Sequence, residues 1–426
     1  MNTPRVPASP AFRFVLTMGV VNLFADMTYE GGGGINGAFL GSLGASAAAV
    51  AIIAGAGEFL GYAMRALAGY FADRSGRYWP LTFVGYVINL LAVPAMALAT
   101  GWPAAAMLVF AERTGRALRK PPVEAMLSYT TSRYGKGWVY AVNSALDETG
   151  ATLGPILVAA VLFLGGSFRA AYATLIVSSV LALASLTLAR RRFPHPSRLD
   201  EELERERSGL DSSGKDSLRQ ESSAAVESGA FTLSYWLFMC AASCFAAGLL
   251  SYELISFHLT RTHLTTVVGA PLLLAFATGG GVLANLVLGR TYDRFGLPVV
   301  LIAVVLSALC APLAFLGGLA PLILAMPLLG IGYAVQDTLL KAIVAGVMPP
   351  GRRSLAFGLF YTGYGCGWLA GSVVMGLLYE RSLGELVSFA LLVQLASVPL
   401  FVLAARRMPP APGSDAAAAA RAPSSR

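Results

Sequence analysis

A group of six charged residues interrupts an apolar segment between positions 112 and 124. Its cations Arg113, Arg116 and Lys120 recur at spacings of three and four residues, which places them on one face of a helix. Guanidinium and ammonium groups aligned in this way bind carboxylates or anionic solutes. The segment therefore predicts binding and charge compensation. Its other charged members are Glu112, Arg119 and Glu124.

Carboxylates occur at the same depth in neighbouring apolar segments. Because a helix rises 1.5 Å per residue, positions that are equally far from a turn lie at equal depth. Arg119 and Lys120 share this depth on the fourth segment, so we expect the opposite charges to meet. The carboxylates near mid-depth are Asp26, Glu30, Glu58, Asp147 and Glu148.

The first half of the chain carries more acids than bases in these segments. The acids are the five named above with Glu112 and Glu124, which makes seven, and the bases are Arg65 with four cations of the fourth segment, which makes five. A buried excess of carboxylates favours retention of a proton, which is a physical route to proton coupling. A permanent network of structural salt bridges is the alternative. The second half is sparser, with Glu253, Asp337 and Lys341, of which the last two are site candidates.

Only long apolar helices can hold these charges together. Of 426 residues, 56% are hydrophobic and 13% are charged, whereas soluble domains carry about 25% charged residues. The apolar run 103–111 before Glu112 is too short to cross about 30 Å of hydrocarbon. The fourth helix must therefore continue through its charges to about Thr130, and these charges must face partners or a water-filled cavity.

The same length criterion predicts an all-α membrane protein with about twelve transmembrane helices. The predicted organisation is an N-terminal six-helix bundle (1–189), a solvated cytoplasmic linker (190–231), a C-terminal six-helix bundle (232–406) and a disordered tail (407–426). The predicted spans are 13–41, 47–71, 79–99, 103–130, 138–164, 169–189, 232–258, 265–290, 298–317, 320–347, 355–378 and 384–405.

Basic residues in the connections predict the orientation. With an even number of spans, both termini and the linker lie on one side of the membrane. That side collects most basic residues of the connections, among them Arg133, Lys136 and Arg352. The positive-inside rule makes it cytoplasmic, so we expect a multi-pass protein of the plasma membrane, the bacterial inner membrane, with cytoplasmic termini.

Two connections on this side repeat one another. GYFADRSGR follows the second span and GRTYDRFG follows the eighth. A tandem repeat of six spans with the same topology is typical of one class of secondary transporter, and it predicts two bundles with pseudo-two-fold symmetry. The matched residues, each 220 positions apart, are Gly69 with Gly289, Asp73 with Asp293, Arg74 with Arg294, and Gly76 with Gly296.

The chain resembles the major facilitator superfamily over nearly its whole length. The resemblance implies that the loop after the second helix is a charge latch on the cytoplasmic gate, although Tyr78 stands where a further basic residue often follows. The fifth-helix motif is associated with exporters. These motifs consist of Gly69, Asp73, Arg74, Gly76 and Arg77 after the second helix, Arg113 and Gly115 in the fourth, and Gly150, Gly154 and Pro155 in the fifth.

The resemblance also implies a coupling site. In exporters of this superfamily a first-helix acid often works with the fourth-helix arginine, so Asp26 or Glu30, set by Arg113, is the expected proton carrier. Asp147 or Glu148 is the alternative.

The predicted function is secondary active transport of a small organic solute by alternating access, coupled to protons, with export by antiport favoured. Uptake of an organic anion onto the arginines is an alternative. A non-transporting receptor or an intramembrane enzyme is an alternative of another class, but the sequence lacks HExxH, GxSxG and a P-loop. The predicted partners are a small-molecule substrate, protons and the lipid bilayer. We expect a monomer that is not an enzyme and that binds no nucleic acid, metal or cofactor.

Overall fold

The computed structural model describes residues 10–128, 130, 136–196, 232–340, 343 and 353–407. Inside the helices, residues 66, 73, 128, 136–142, 293 and 353–357 are described by their backbone alone. The predicted linker and tail therefore lie largely outside the described residues, and the site candidate Lys341 lies entirely outside them.

The described chain runs back and forth in helices joined by short connections. We call α1 to α6 the N-terminal half and α7 to α12 the C-terminal half. The helices are α1 (Pro10–Ser42), α2 (Ala47–Ser75), α3 (Tyr78–Ala95, with a 3-10 turn at Met96–Leu98), α4 (Trp102–Ser128), α5 (Lys136–Phe163), α6 (Phe168–Thr174 and Ile176–Arg192), α7 (Leu233–Gly248 and Tyr252–Thr262), α8 (Gly269–Phe295), α9 (Leu297–Ala308 and Cys310–Phe315), α10 (Leu319–Ala334, with a π-helical turn at Val335–Leu339), α11 (Arg353–Arg381) and α12 (Leu383–Arg406).

Ten helical spans in the described part of the chain are long and apolar enough to cross a membrane. The other two, α4 and α11, contain 27 and 29 residues and match them in length. Large apolar side chains such as Phe163, Val177 and Leu324 are exposed on the surface, as expected where lipid surrounds the protein. The predicted all-α membrane fold with about twelve helices is confirmed.

Pairs of glycines bring the fifth helix of each half against the first. A Cβ atom at Gly154 would collide with the Met27 carbonyl of α1, and one at Gly371 of α11 would collide with the Ala247 carbonyl of α7. The glycines one turn earlier, Gly150 and Gly367, pack in the same way against Leu23 and Ser243. Small residues permit this close approach of helix backbones. Both halves therefore share one packing device, on the fifth helix of each half.

The seventh helix is broken near the middle of its span. Its first part ends at Gly248, and its second part begins after Ser251, whose side chain accepts a hydrogen bond from the Leu254 backbone N–H. Serine is a preferred N-cap because its oxygen satisfies an unpaired amide of the first turn. The break places Glu253 in that first turn, inside the protein.

The two halves contact each other at one end of the helix bundle. We call the side that holds Pro10 and Arg406 the terminal side, and the side with connections 43–46, 164–167 and 263–268 the far side. On the far side, the Ala47 backbone N–H of α2 donates a 2.7 Å hydrogen bond to Glu380 Oε1 of α11. A Cβ atom at Gly37 of α1 would collide with the Glu253 carbonyl of α7. The described helices thus close the far side.

Candidate functional site

A cavity of about 510 Å³ lies between the halves. On α1 its wall ends at Asn36, beside the far-side contact at Gly37, and its exposed lining residues Ser144 and Leu286 lie toward the terminal side. Arg119 stands beside the cavity in contact with Asp26. The predicted site residues that line it are Asp26, Glu30, Glu58, Arg113, Arg116, Lys120, Asp147, Glu148 and Asp337.

The arginines of α4 anchor the most extensive charge cluster of the cavity wall. Arg113 lies between three carboxylates, with Nη1 2.6 Å from Glu58 Oε1, Nε 3.3 Å from Glu112 Oε2 and Nη2 2.9 Å from Glu253 Oε1. Arg116 lies 3.3 Å from the same Glu58 oxygen and 3.5 Å from Glu112 Oε1. Such contacts offset the cost of placing charges within a membrane. The cluster joins α2 and α4 to α7.

A second buried pair lies wholly within the N-terminal half. Arg119 Nη2 donates to Asp26 Oδ1 at 3.1 Å, and the two side chains are only 3% and 9% exposed. The Tyr86 hydroxyl donates to Asn22 Oδ1 nearby, and the Arg119 guanidinium packs over the Tyr86 ring at 4.6 Å from its centroid. Asp26 is therefore a fixed partner between α1 and α4.

Other carboxylates of the cavity are held less tightly. Glu30 and Glu148 are partly exposed to the cavity and make no ion pair within the described residues. Asp147 accepts hydrogen bonds of 3.3 and 3.4 Å from the Asn143 amide. Glu30 and Glu148 are thus well placed to meet a solute in the cavity.

Apart from two acids, the described wall formed by the C-terminal half consists of neutral groups. The Gln336 amide donates to the Tyr62 hydroxyl of α2, and the Tyr364 hydroxyl donates to Gln336 Oε1 at 3.0 Å. Gln336 lies in the π-helical turn of α10, a distortion that is frequent at functional sites. The indole N–H of Trp368, buried on this wall, has no acceptor within the described residues.

The arrangement around Arg113 differs from the sequence-based expectation. Arg113 contacts Glu58, Glu112 and Glu253, whereas Asp26 pairs with Arg119, one helical turn and a half further along α4. The reason is helix packing: the α4 face with Arg113 meets α2 and α7, whereas the part with Arg119 meets α1. Within the described residues neither Asp26 nor Glu30 contacts Arg113, and the coupling role of Asp26 or Glu30 stays a prediction.

Sequence reasoning missed Glu253 as a site residue. The run Gly248 to Leu250 looks like a continuation of an apolar span, so the break was not predicted. The signal was Ser251 followed two residues later by Glu253, since a serine N-cap with an acid in the first turn marks a helix start.

The repeated connections both turn on glycine in the left-handed region on the terminal side. Gly76 has φ of 61° and Gly296 has φ of 68°, a region that favours glycine. Asp73 and Asp293 lie in the last turns of α2 and α8, and their side chains are outside the described atoms. The latch at these loops stays a prediction. The remaining loop residues, Gly69, Arg74, Arg77, Gly289 and Arg294, lie around the same turns.

The fifth-helix motif lies on the face of α5 that packs against α1. Gly150 and Gly154 allow the close approach described above, and Pro155 follows inside the helix. Among the described residues, no group of three His, Cys, Asp or Glu side chains is arranged to hold a metal ion. The cavity offers ion pairing and hydrogen bonding to a solute, which is the chemistry of binding.

Comparison with known sequences gives one family. A model described as the Major Facilitator Superfamily matches residues 18–335 and 231–425. An uncharacterised protein of Mycobacterium tuberculosis is 31% identical over 406 residues, covering 95% of this chain and 96% of that protein. An uncharacterised MFS-type transporter of Methanocaldococcus jannaschii is 25% identical over 374 residues, covering 86% and 89%.

Solved structures of transporters share the fold. A point mutant of the nucleoside transporter NupG aligns with a TM-score of 0.70 at 16% identity, covering 91% of this chain and 100% of that one. The peptide transporter POT in complex with sulfate aligns with a TM-score of 0.71 at 14% identity, covering 92% and 94%. At these identities the likeness concerns the fold alone.

Proposed function

The chain belongs to the major facilitator superfamily, and on that premise we propose that it moves a small organic solute by alternating access, driven by a proton gradient. The observation that carries the proposal is the cavity of about 510 Å³ between the halves, lined by charges and closed on the far side. A site at mid-membrane between two repeats is what alternating access requires, because rocking of one half against the other exposes it to each side in turn.

Proton coupling is supported by the charges that line the cavity. Eight carboxylates line it, whereas the lining bases are Arg65, Arg113, Arg116 and Lys120. With Arg119 added, the described site has eight acids and five bases, an excess of three. Such an excess in a low-dielectric setting favours binding of protons or of a cationic group. The eight are Asp26, Glu30, Glu58, Glu112, Asp147, Glu148, Glu253 and Asp337.

Export by antiport, a plasma-membrane location and cytoplasmic termini complete the proposal. Export rests on the resemblance of Gly150, Gly154 and Pro155 to the exporter motif. Orientation rests on the basic connections of the terminal side. We propose that one chain suffices, because the cavity is formed between two halves of the same chain.

Uptake of an organic anion receives less support from the site. The arginines that would receive the anion are in contact with carboxylates: Arg113 and Arg116 with Glu58 and Glu112, and Arg119 with Asp26. An anion would have to displace these partners. A receptor or enzyme role gains no specific support, since the described cavity groups suit binding.

Purified protein in liposomes tests the proposal directly. A pH gradient is imposed, and a panel of cationic, zwitterionic, neutral and anionic solutes is offered, including nucleosides and dipeptides. We expect at least one solute to accumulate against its gradient, and an ionophore that dissipates the pH gradient to abolish accumulation.

The matched control is Glu385→Gln. It removes a carboxylate that pairs with Arg381 at the far-side surface, 45% exposed and outside the cavity. It should transport like the wild type. Accumulation that does not depend on the pH gradient would contradict proton coupling. Failure of every solute class to accumulate in protein that remains folded would contradict transport itself.

A further inference from the structure

An ion pair of the cavity joins the two halves. Arg113 Nη2 of α4 lies 2.9 Å from Glu253 Oε1 of α7, and the side chains are 11% and 13% exposed. The other carboxylates that contact Arg113, Glu58 and Glu112, belong to the N-terminal half and move with it. Of these contacts, the one with Glu253 depends on how the halves are placed.

The charge balance of the cluster changes when this contact is lost. Glu58, Glu112, Arg113 and Arg116 carry two negative and two positive charges, so they balance without Glu253. If the halves separate, the N-terminal part keeps a neutral cluster, whereas Glu253 loses its guanidinium. An unpaired carboxylate in a low-dielectric interior is costly, and taking up a proton removes that cost.

The position of Glu253 links this pair to one side of the membrane. Glu253 lies in the first turn after the break in α7, and its own carbonyl packs against Gly37 of α1 at the closed far side. Opening the far side by rocking the halves must separate α7 from α1 and α4. The pair with Arg113 therefore exists when the far side is closed and is lost when it opens.

We propose that Glu253 is the proton-carrying residue of this transporter. It is ionised while paired with Arg113 and protonated when the far side is open. This proposal rests on the proposed function and deepens it, because it replaces Asp26 and Glu30 as the expected carrier.

The proton follows the opening and closing of the halves. With the far side open, a Glu253 carboxylate oxygen forms an O–H bond with a proton from far-side water. As the far side closes, the Arg113 guanidinium takes the place of that proton, which leaves to water in the cavity, now open toward the terminal side. The return breaks the pair again, and a cationic group of the solute facilitates this because it can replace Arg113 beside Glu253.

Other ionisable groups surround Glu253 and also affect whether its carboxyl group is ionised. The two arginines favour its ionised form, and the carboxylates oppose it. The groups that face it are Glu58 of α2, Glu112, Arg113 and Arg116 of α4, Tyr172 of α6, Tyr252 of α7 and Tyr333 of α10.

A conformational test avoids any need to know the solute. Ala45, before α2, and Thr260 on α7 line one small pocket of about 290 Å³ at the far side. Cysteines at both positions, in full-length protein whose four native cysteines are replaced by alanine, can be crosslinked by a short bifunctional thiol reagent when the far side is closed. The crosslinked fraction is measured in liposomes from mildly alkaline to mildly acidic pH.

We expect crosslinking to fall several-fold as the pH is lowered, because protonation of Glu253 releases the pair. In Glu253→Gln crosslinking should be low and independent of pH. Glu253→Asp keeps a titratable group but shortens its reach to Arg113, so its transition should move to higher pH. Glu385→Gln should follow the unaltered protein.

A pH response that persists in Glu253→Gln overturns the proposal, whatever the transport assays show. Gradient-driven accumulation in Glu253→Gln should fall about tenfold or more, a loss within the usual range of coupling between two sites. If the unaltered protein fails to accumulate any solute but crosslinking still depends on Glu253, the proposed function fails and the pH-sensitive contact stands. If Glu253→Gln loses stability, the shift in Glu253→Asp decides.

Discussion

The two halves of this molecule share a scaffold and differ in chemistry. In both, two glycines of the fifth helix pack against the first, and a glycine in the left-handed region ends the second. The interior of the N-terminal half, however, is tied by charges, as in the Asp26–Arg119 pair. Within the part of the C-terminal half that the structure describes, neutral contacts tie the helices, such as the 3.0 Å hydrogen bond from Gln394 Nε2 to Ser307 Oγ.

This difference indicates which half can adjust. A buried ion pair inside one half, such as Asp26–Arg119, is tolerated only with good geometry, so its partners must stay together throughout a cycle. Neutral hydrogen bonds and aromatic contacts lose less when they shift. We infer that the N-terminal half moves as a rigid body, and that the changes between states occur where the C-terminal half meets it, at the Arg113–Glu253 pair and at neutral groups such as Gln336.

The largest expected effect comes from removing one partner of the buried ion pair inside the N-terminal half. Asp26→Asn leaves the buried Arg119 guanidinium without its carboxylate, and we expect the free energy of unfolding to fall by about 3–5 kcal/mol. Thermal and denaturant unfolding of the purified protein measure this loss.

Glu30→Gln is the matched control, four residues along the same helix. Glu30 makes no ion pair within the described residues, so its stability should change by about 0.5 kcal/mol or less while solute transport is altered. If both variants are equally stable, the Asp26–Arg119 pair does not hold the N-terminal half together. If both also concentrate solute as before, neither acid is needed for coupling.

The next effect tests the shared scaffold. Gly154→Val and Gly371→Val each press a side chain against a backbone carbonyl of the first helix of their half, and each should cost about 1–3 kcal/mol and impair transport. Val158→Leu, also buried on α5, should be milder because neighbouring side chains can give way. A Gly61→Ala control meets open space. Tolerance of Gly371→Val alone would show that the packing device matters in one half only.

A smaller effect is expected when a neutral hydrogen bond inside the C-terminal half is removed. Gln394→Met keeps the size of a side chain that is 2% exposed but removes the hydrogen bond to Ser307, which should cost about 1 kcal/mol. Measured beside Asp26→Asn in the same detergent, it compares a neutral with an ionic contact. A loss as large as that of Asp26→Asn would remove the distinction between the halves.

The sequence predicted the fold better than the contacts of the site. Apolar lengths predict the spans to within a few residues, because about 30 Å of hydrocarbon admits little freedom. Counting residues along each helix placed Asp26, Glu58 and the arginines at the same depth in the membrane. It could not choose between partners, because that choice depends on which helices are neighbours and how each is rotated. Glu58 reaches Arg113 because α2 lies against α4, which composition does not reveal.

The smallest expected effect lies in the repeated terminal-side loops. Asp73 and Asp293 occupy the last turns of α2 and α8, where a negative charge interacts unfavourably with the helix dipole. Because the helix dipole does not favour an acid at these places, Asp73→Asn and Asp293→Asn should fold as well as the unaltered chain. If the loop after α2 latches the halves, Asp73→Asn should slow transport several-fold, whereas Asp293→Asn should matter less because Leu297 stands where the first loop has Arg77.

Initial rates in liposomes, normalised to folded protein, separate these outcomes. The two loops turn on glycines of similar φ, 61° at Gly76 and 68° at Gly296, but of different ψ, 6° and −140°. A double variant therefore has to test whether a larger effect at Asp73 comes from the charges around it. If Arg77 is one of these charges, its effect on the transport rate depends on Asp73. The double variant Arg77→Gln with Asp73→Asn should then be no slower than Asp73→Asn alone. Unaltered turnover in Asp73→Asn would mean that the loop only turns the chain.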